Sequence, residues 1–146
     1  MNIGIIGQGF VGNAVYQKFK NFFEIKTYDI NESLSNSTKN KVYSCDIIFI
    51  CLPTPMNKDG SCHTGIVENC IEEINNTNEY KILIVKSTVS PDSTKKWNDK
   101  FENVDVVFNP EFLTEANAVK DYENQSRIII GGPRVATTKI KPIFVK

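Results

Sequence analysis

Short apolar runs alternate along this chain with segments whose apolar residues recur every three or four positions. Residues 3–6 form the first run, which is cut by glycines at Gly7, Gly9 and Gly12. From there Val11, Ala14, Val15, Phe19 and Phe22 keep helical spacing and predict a helix with one face on a sheet. Residues 25–28 are the second run. The polar stretch 31–43, rich in Ser, Asn and Lys, predicts a loop with a short helix. Residues 46–52, DIIFICL, are almost continuously apolar, as a parallel strand covered on both faces should be. Pro53-Thr54-Pro55 ends that strand, because proline cannot donate to a ladder. A loop turning at Asp59-Gly60 leads to a helix with Thr64 as N-cap and Ile66, Val67, Cys70, Ile71 and Ile74 on its apolar face. Residues 81–85 predict a fourth strand, Pro91, Trp97 and Phe101 mark a helix, and residues 104–108 predict a fifth strand. A helical segment is expected from Asn109-Pro110 to about Tyr122, then a sixth strand over 127–130, closed by Gly131-Gly132-Pro133.

Strands alternating with helices from end to end predict parallel βαβ units, hence an α/β fold with a doubly wound, mostly parallel six-stranded sheet in a single domain. In such sheets ligands bind beyond the carboxyl ends of the strands. The strand ends here are residues 7–12, Asp29, residues 53–55, Ser87-Thr88 and residues 109–115. The first of them, Gly7-Gln8-Gly9-Phe10-Val11-Gly12, has the GxGxxG spacing of a Rossmann-type dinucleotide turn. Gly7 permits a tight turn, Gly9 lets a pyrophosphate approach the backbone, and Gly12 lets helix and strand pack closely. The helix N-terminus then offers free N–H groups and a positive dipole end to the phosphates. Glycine-rich turns also occur for structural reasons alone, so the context decides. Asp29 ends the second apolar run, where a carboxylate accepts ribose hydroxyls and repels the extra phosphate of NADP. No Arg or Lys stands in 30–37 to favour NADP, so the expected cofactor is NAD. The crevice is expected where the first and fourth strands diverge.

Composition narrows the classes. A chain of 146 residues is one domain by length and needs no staples to fold. Lys plus Arg and Asp plus Glu both total 17, which argues against a nucleic-acid partner. No apolar run reaches membrane-spanning length and a strand follows Met1 at once, so the protein is expected to be cytoplasmic, without a membrane partner. Cys45, Cys51, Cys62 and Cys70 lack zinc spacing and CxxC pairs, and read as reduced, mostly buried thiols. His63 beside Cys62 has no convergent partners, so no metal site is expected.

GQGFVG, the strand ending in CLPTP, KSTVSP, and above all FNPEFLTEANAVKDY followed by RIIIGG resemble the N-terminal NAD-binding domain of the UDP-glucose and GDP-mannose dehydrogenases. The resemblance runs from Asn2 to about Gly132. It implies a UDP-glucose 6-dehydrogenase-like oxidoreductase, in which NAD accepts two hydrides from C6 of a nucleotide sugar. By resemblance, Gly7, Gln8, Gly9, Phe10, Val11 and Gly12 hold the pyrophosphate and Asp29 the adenosine ribose, while Leu52, Pro53, Thr54, Pro55, Ser87 and Thr88 line the dinucleotide. Glu111, Phe112, Leu113 and Glu115 face the sugar, and Glu115 also touches the cofactor. Thr88 and Glu111 position or deprotonate the hydrolytic water, and Glu115 joins them as the third catalytic candidate. The residues also admit plainer readings. Glu111 and Glu115, four apart, are either site carboxylates or charges on the first turn of a helix. Thr88 is either catalytic or a helix-entry residue, and Lys86 and Arg127 read as structural or surface groups.

Two departures from the family pattern matter. The segment 30–45 is shorter than the family's, and Leu34 stands near the place where an arginine often follows the ribose-binding acid. The family's thiol nucleophile and lysine lie in a later domain, whereas this sequence ends at Lys146. None of the four cysteines matches the nucleophile, and thioester chemistry requires a thiolate. The expectation is therefore an NAD-binding domain over 1–132, with 133–146 starting a connection to a substrate and dimerisation region. Turnover would need a second chain or domain to complete the site. The alternatives are a stand-alone module that binds NAD or a nucleotide sugar, or a hydroxyacid-type dehydrogenase domain. Because the family dimerises through a central region, a homodimer and exposed apolar surface near the C-terminal end are expected.

Overall fold

Period-two alternation inside each strand assigns its side chains to one face or the other, and that assignment organises the layers. The computed structural model describes residues 2–146. Its strands are β1 (Ile3–Ile6), β2 (Ile25–Tyr28), β3 (Ile47–Ile50), β4 (Lys81–Val85) and β5 (Val104–Phe108). All neighbours are parallel, in the order β2-β1-β3-β4-β5. The helices are α1 (Phe10–Phe19), α2 (Lys39–Tyr43), α3 (Gly65–Asn75), α4 (Ser93–Lys100), α5 (Ala118–Glu123) and α6 (Arg134–Ile140).

Ile3 and Ile5 of β1, Ile47 and Phe49 of β3, Ile82 and Ile84 of β4 and Val107 of β5 join one buried cluster. There they meet Ala14, Val15 and Phe19 of α1, Ala118 and Tyr122 of α5, and Ala136 and Ile140 of α6. The alternate residues, among them Ile6, Ile48, Ile50, Leu83, Val85 and Val106, join a second cluster with Val42 and Tyr43 of α2, Val67, Cys70, Ile71 and Ile74 of α3, and Trp97 of α4. The sheet is thus covered on both faces, which is why its central strands are apolar throughout.

The sheet has five strands, not six. Residues 127–130 do not pair as a strand; the segment meets β5 only through an antiparallel bridge between Phe108 and Gly131. Ile128 and Ile129 are exposed, and only Ile130 packs against the first core cluster. The Ile129 carbonyl is instead held by the Asn109 side-chain amide at 2.7 Å. The expected crevice also moves. β3 follows a connection that holds only a 3-10 turn, Glu32–Leu34, and the five-residue α2, too little for another strand–helix unit. β3 therefore lands directly beside β1, with Ile3 opposite Ile47, and the chain reverses direction between β1 and β3 rather than between the first and fourth strands.

Three local expectations are corrected as well. α1 stops at Phe19, leaving Phe22 exposed. Thr64 precedes α3 but makes no capping hydrogen bond with its side chain. Residues 109–114 are not helical: a 3-10 turn, Glu115–Asn117, precedes α5. Pro110 lacks an N–H, and the Asn109 N–H donates to the Val85 carbonyl at 3.0 Å, which keeps the segment extended along the sheet. Glu111 and Glu115 therefore do not share a helix face.

Residues 134–143, beyond the predicted domain limit, fold as α6 and a 3-10 turn, Lys141–Ile143. Ala136, Ile140 and Ile143 are completely buried in the first cluster. Phe144 meets the Phe19 ring edge-on at 6.1 Å, and Phe19 also stacks on Phe49 at 6.1 Å. This aromatic group ties the C-terminal segment to α1 and β3. Ile140→Ala should lower the stability of the whole chain by about 2–5 kcal/mol, the cost of truncating a fully buried aliphatic side chain. Urea unfolding checks this, and an unchanged midpoint would mean that the segment is not part of the cooperative unit.

Candidate functional site

The turn between β1 and α1 is shaped by what cannot fit there. Gly7 has φ of +87°, and a Cβ on it would run into the Cys51 carbonyl at the end of β3. A Cβ on Gly12 would overlap the Gly7 carbonyl oxygen, so α1 reaches this close to β1 only with glycine at that position. Gly9 differs from both: nothing lies within 4 Å of the place where its Cβ would stand. It is the N-cap of α1, makes no side-chain cap, and leaves the first N–H groups of a ten-residue helix facing open space.

Asp29 joins this turn to the end of β2. Its Oδ2 accepts the Gln8 N–H at 2.6 Å and its Oδ1 accepts the Asn31 N–H at 2.8 Å. The Asp29 N–H in turn donates to Ser35 Oγ at 2.8 Å. A carboxylate offers about four acceptor directions, so each oxygen keeps capacity for a further donor such as a sugar hydroxyl. The bracing role was not foreseen from sequence, where Asp29 was read only as a ligand group.

A cavity of about 520 Å³ runs along the strand ends. Of the residues expected at the site, it is lined by Gly7, Gly9, Phe10, Val11, Asp29, Leu52, Pro53, Thr54, Ser87, Thr88 and Glu111. Two hydrogen bonds stitch the ends of β3 and β4 beneath it, Ser87 Oγ to the Leu52 carbonyl and Thr54 Oγ1 to the Thr88 carbonyl, both 2.6 Å. The remaining expected residues lie elsewhere. Gln8 faces a second, more polar cleft with Asn13, Tyr16, Ser35 and Asn36. Gly12 is buried under the turn, and Pro55 is exposed beyond the rim. Phe112 stacks under the Arg127 guanidinium at 4.8 Å, Leu113 packs against the first core cluster, and Glu115 is exposed. Glu111 bends back on its own segment, its Oε2 accepting the Leu113 N–H at 2.5 Å.

Two further groups in the wall were not singled out as site residues. Cys51 lines the cavity, and burial pushes its thiol up to about 12, so it stays protonated at neutral pH. Lys86, read from sequence as a structural or surface group, is buried and also lines the cavity. Its Nζ donates to Asn109 Oδ1 at 2.9 Å and stands 5.1 Å from the centre of the Tyr122 ring. Burial brings its pKa down to about 8, against the opposing pull of Cys51 and Glu111. The signal was present in the sequence: two steps beyond Ile82 and Ile84, position 86 takes the same core-facing register.

The chain can be compared with known proteins on this geometry. A family model described as the UDP-glucose/GDP-mannose dehydrogenase family, NAD binding domain, matches residues 24–144. That span begins after the glycine turn, whose assignment therefore rests on the geometry above. The uncharacterized protein MJ1054 of Methanocaldococcus jannaschii is 32% identical, over 90% of this chain and 18% of its own length. A UDP-glucose 6-dehydrogenase of Campylobacter jejuni is 34% identical, over 77% of this chain and 29% of its own length. A solved UDP-glucose dehydrogenase from Pyrobaculum islandicum superposes with a TM-score of 0.82 at 23% identity, covering 99% of this chain and 44% of that one, which speaks for the fold. The chain thus spans less than half of each of these proteins. With the Rossmann-like sheet, its glycine turn and the family match in agreement, the chain belongs to the UDP-glucose/GDP-mannose dehydrogenase family, of which it forms an NAD-binding domain.

Proposed function

We propose that this chain holds NAD across the carboxyl ends of its strands as the cofactor-binding part of a nucleotide-sugar 6-dehydrogenase. One observation carries the reading: the open N-terminus of α1 at Gly9 and the Asp29 carboxylate are locked together through the Gln8 N–H at 2.6 Å. The residues fit a dinucleotide. Free amides at Gly9, Phe10 and Val11 suit a pyrophosphate, and the space in front of Gly9 admits it. Asp29, one strand away at the end of β2, suits the adenosine ribose and disfavours the 2′-phosphate of NADP. Leu52, Pro53 and Thr54 on one side, with Ser87 and Thr88 on the other, give the remaining length of the cofactor walls.

When bound, NAD supplies the hydride acceptor. Thr88 and Glu111, which line the β4 and β5 end of the cavity, are assigned the holding or deprotonation of a water at the reacting carbon. Phe112, Leu113 and Glu115 are assigned to the sugar side, outside the cavity that this chain forms alone. Pro55 is assigned to the rim of the cofactor groove. A thioester step needs a thiolate. Burial holds the Cys51 thiol up to about 12, Cys70 up to about 11, and Cys45 also above its ordinary value, so none of these three is suited to be that nucleophile. Cys62 lies outside the cavity lining, its Sγ donating to the Thr88 carbonyl at 3.3 Å. The reading therefore places the nucleophile in another domain or chain, and makes a UDP-glucose-type nucleotide sugar the substrate of the completed enzyme.

Calorimetry on this chain tests the reading. NAD should bind with measurable heat at millimolar concentration and raise the melting temperature, and NADP should bind at least about tenfold more weakly. Asp29→Ala should weaken NAD by about ten- to a hundredfold, the worth of a hydrogen bond to a charged group. No heat and no thermal shift with NAD would overturn the assignment.

The glycines separate fold from ligand. Gly12→Ala should destabilise the chain by several kcal/mol, on the order of a severe core clash, because the two atoms closest to the new methyl belong to the Gly7 backbone carbonyl and cannot swing aside. Gly9→Ala should cost about 1 kcal/mol or less in urea unfolding, yet weaken NAD binding. Equal stability loss in the two variants would contradict this division of roles.

A further inference from the structure

Lys86 follows directly on β4 and points to the face of the first core cluster. The residue is 2% exposed, yet it forms part of the cavity wall with Ser87, Thr88 and Glu111, on the β4 and β5 side opposite Asp29. An ammonium has three donors. Asn109 Oδ1 takes one at 2.9 Å, and among the described residues no other hydrogen bond and no ion pair is made by this Nζ. The Tyr122 ring at 5.1 Å offers only its face. A buried ammonium with donors left over is costly unless something pairs with them, and the cavity it borders is where a ligand could do so.

We propose that Lys86 sets which oxidation state of the nicotinamide this site prefers, its ammonium at the β4 end of the cavity opposing the positively charged ring of NAD+ and tolerating the neutral ring of NADH. The proposal rests on the dinucleotide reading above: with adenosine at Asp29 and the phosphates at Gly9, the sheet order brings the nicotinamide end over β3 and β4. No bond is made or broken in this step. The discrimination is electrostatic, and in a pocket screened from water it is larger than it would be in solution. By linkage, whatever disfavours NAD+ relative to NADH favours the reduced form of the bound pair.

The groups facing Lys86 fix its pH dependence. Cys51, from the end of β3, is pushed up to about 12 by burial, and burial also raises Tyr122 of α5 above the ordinary phenol range. Both stay neutral through the range in which Lys86, brought down to about 8, loses its proton. Glu111, in the segment after β5, pulls in the opposite sense by stabilising the ammonium. Below about 8 the charge is present and NAD+ is disfavoured; above it the charge is gone and NAD+ binding tightens relative to NADH.

The test titrates NAD+ and NADH separately into this chain at about pH 6.5 and about pH 9.5, and repeats both with Lys86→Met. In the parent the ratio of Kd for NAD+ to Kd for NADH should fall by about tenfold between the two pH values. In Lys86→Met it should already be about tenfold lower than the parent at the lower pH and should not change with pH. Both nucleotides binding with a ratio that is independent of pH in the parent, or unaltered by the substitution, would overturn the proposal while leaving the cofactor reading intact. Should Lys86→Met fail to fold, the parent's pH series decides alone. Neither nucleotide binding to the parent would overturn the cofactor reading itself and this proposal with it.

Discussion

Helix α1 lies against β1 because no side chain stands at Gly12, and the rest of the site follows from that contact. The close approach fixes where the first N–H groups of α1 point. It also forces the chain through a positive φ at Gly7, where the Cys51 carbonyl leaves no room for a Cβ. The Gln8 N–H is thereby delivered to Asp29, which makes the end of β2 part of the same rigid unit. One steric constraint thus positions an open helix terminus, a carboxylate and the floor between β1 and β3. The cavity needs no movement to present them together.

The chemistry along the strand ends is arranged by sign. A carboxylate ends β2, a helix dipole's positive end follows β1, a buried ammonium follows β4, and a carboxylate lies beyond β5. The stretch between the dipole end and the ammonium is apolar, lined by Ile6, Cys51 and Leu52. Such an order suits an elongated ligand with hydroxyls at one end, phosphates in its middle and a ring at the other.

Much of this was legible in the residues. β1, β2, β4 and β5 occupy the predicted runs 3–6, 25–28, 81–85 and 104–108. The central strands could be read because a strand buried on both faces has few ways to look other than apolar, and β2, at the edge, because its residues alternate between buried and half-buried. β3 is shorter than its run at both ends: Asp46 precedes it, while Cys51, whose N–H still donates to the Ile6 carbonyl at 2.8 Å, and Leu52 follow it and line the cavity. The same rule misread 127–130: an apolar run says nothing about whether its backbone finds a partner, and here the Asn109 amide and one bridge take the place of a ladder. Glu111 and Glu115 were misplaced on one helix because their spacing was weighed without the Pro110 break between β5 and α5. Lys86 was overlooked for a different reason. Residue type allowed either a structural or a surface group, whereas strand register placed it inside, and in a buried strand register outweighs type.

The central claim is that a dinucleotide rests on the amides at the start of α1 and extends toward β4. Backbone amide resonances followed during a titration with NAD examine it most directly. The account predicts the largest shifts at Gly9, Phe10 and Val11, with smaller ones at Leu52, Ser87 and Thr88, and none on the opposite face at Trp97 or Ile71. Shifts confined to the second cleft around Asn13, Ser35 and Asn36, or absent at Gly9 to Val11, would contradict it.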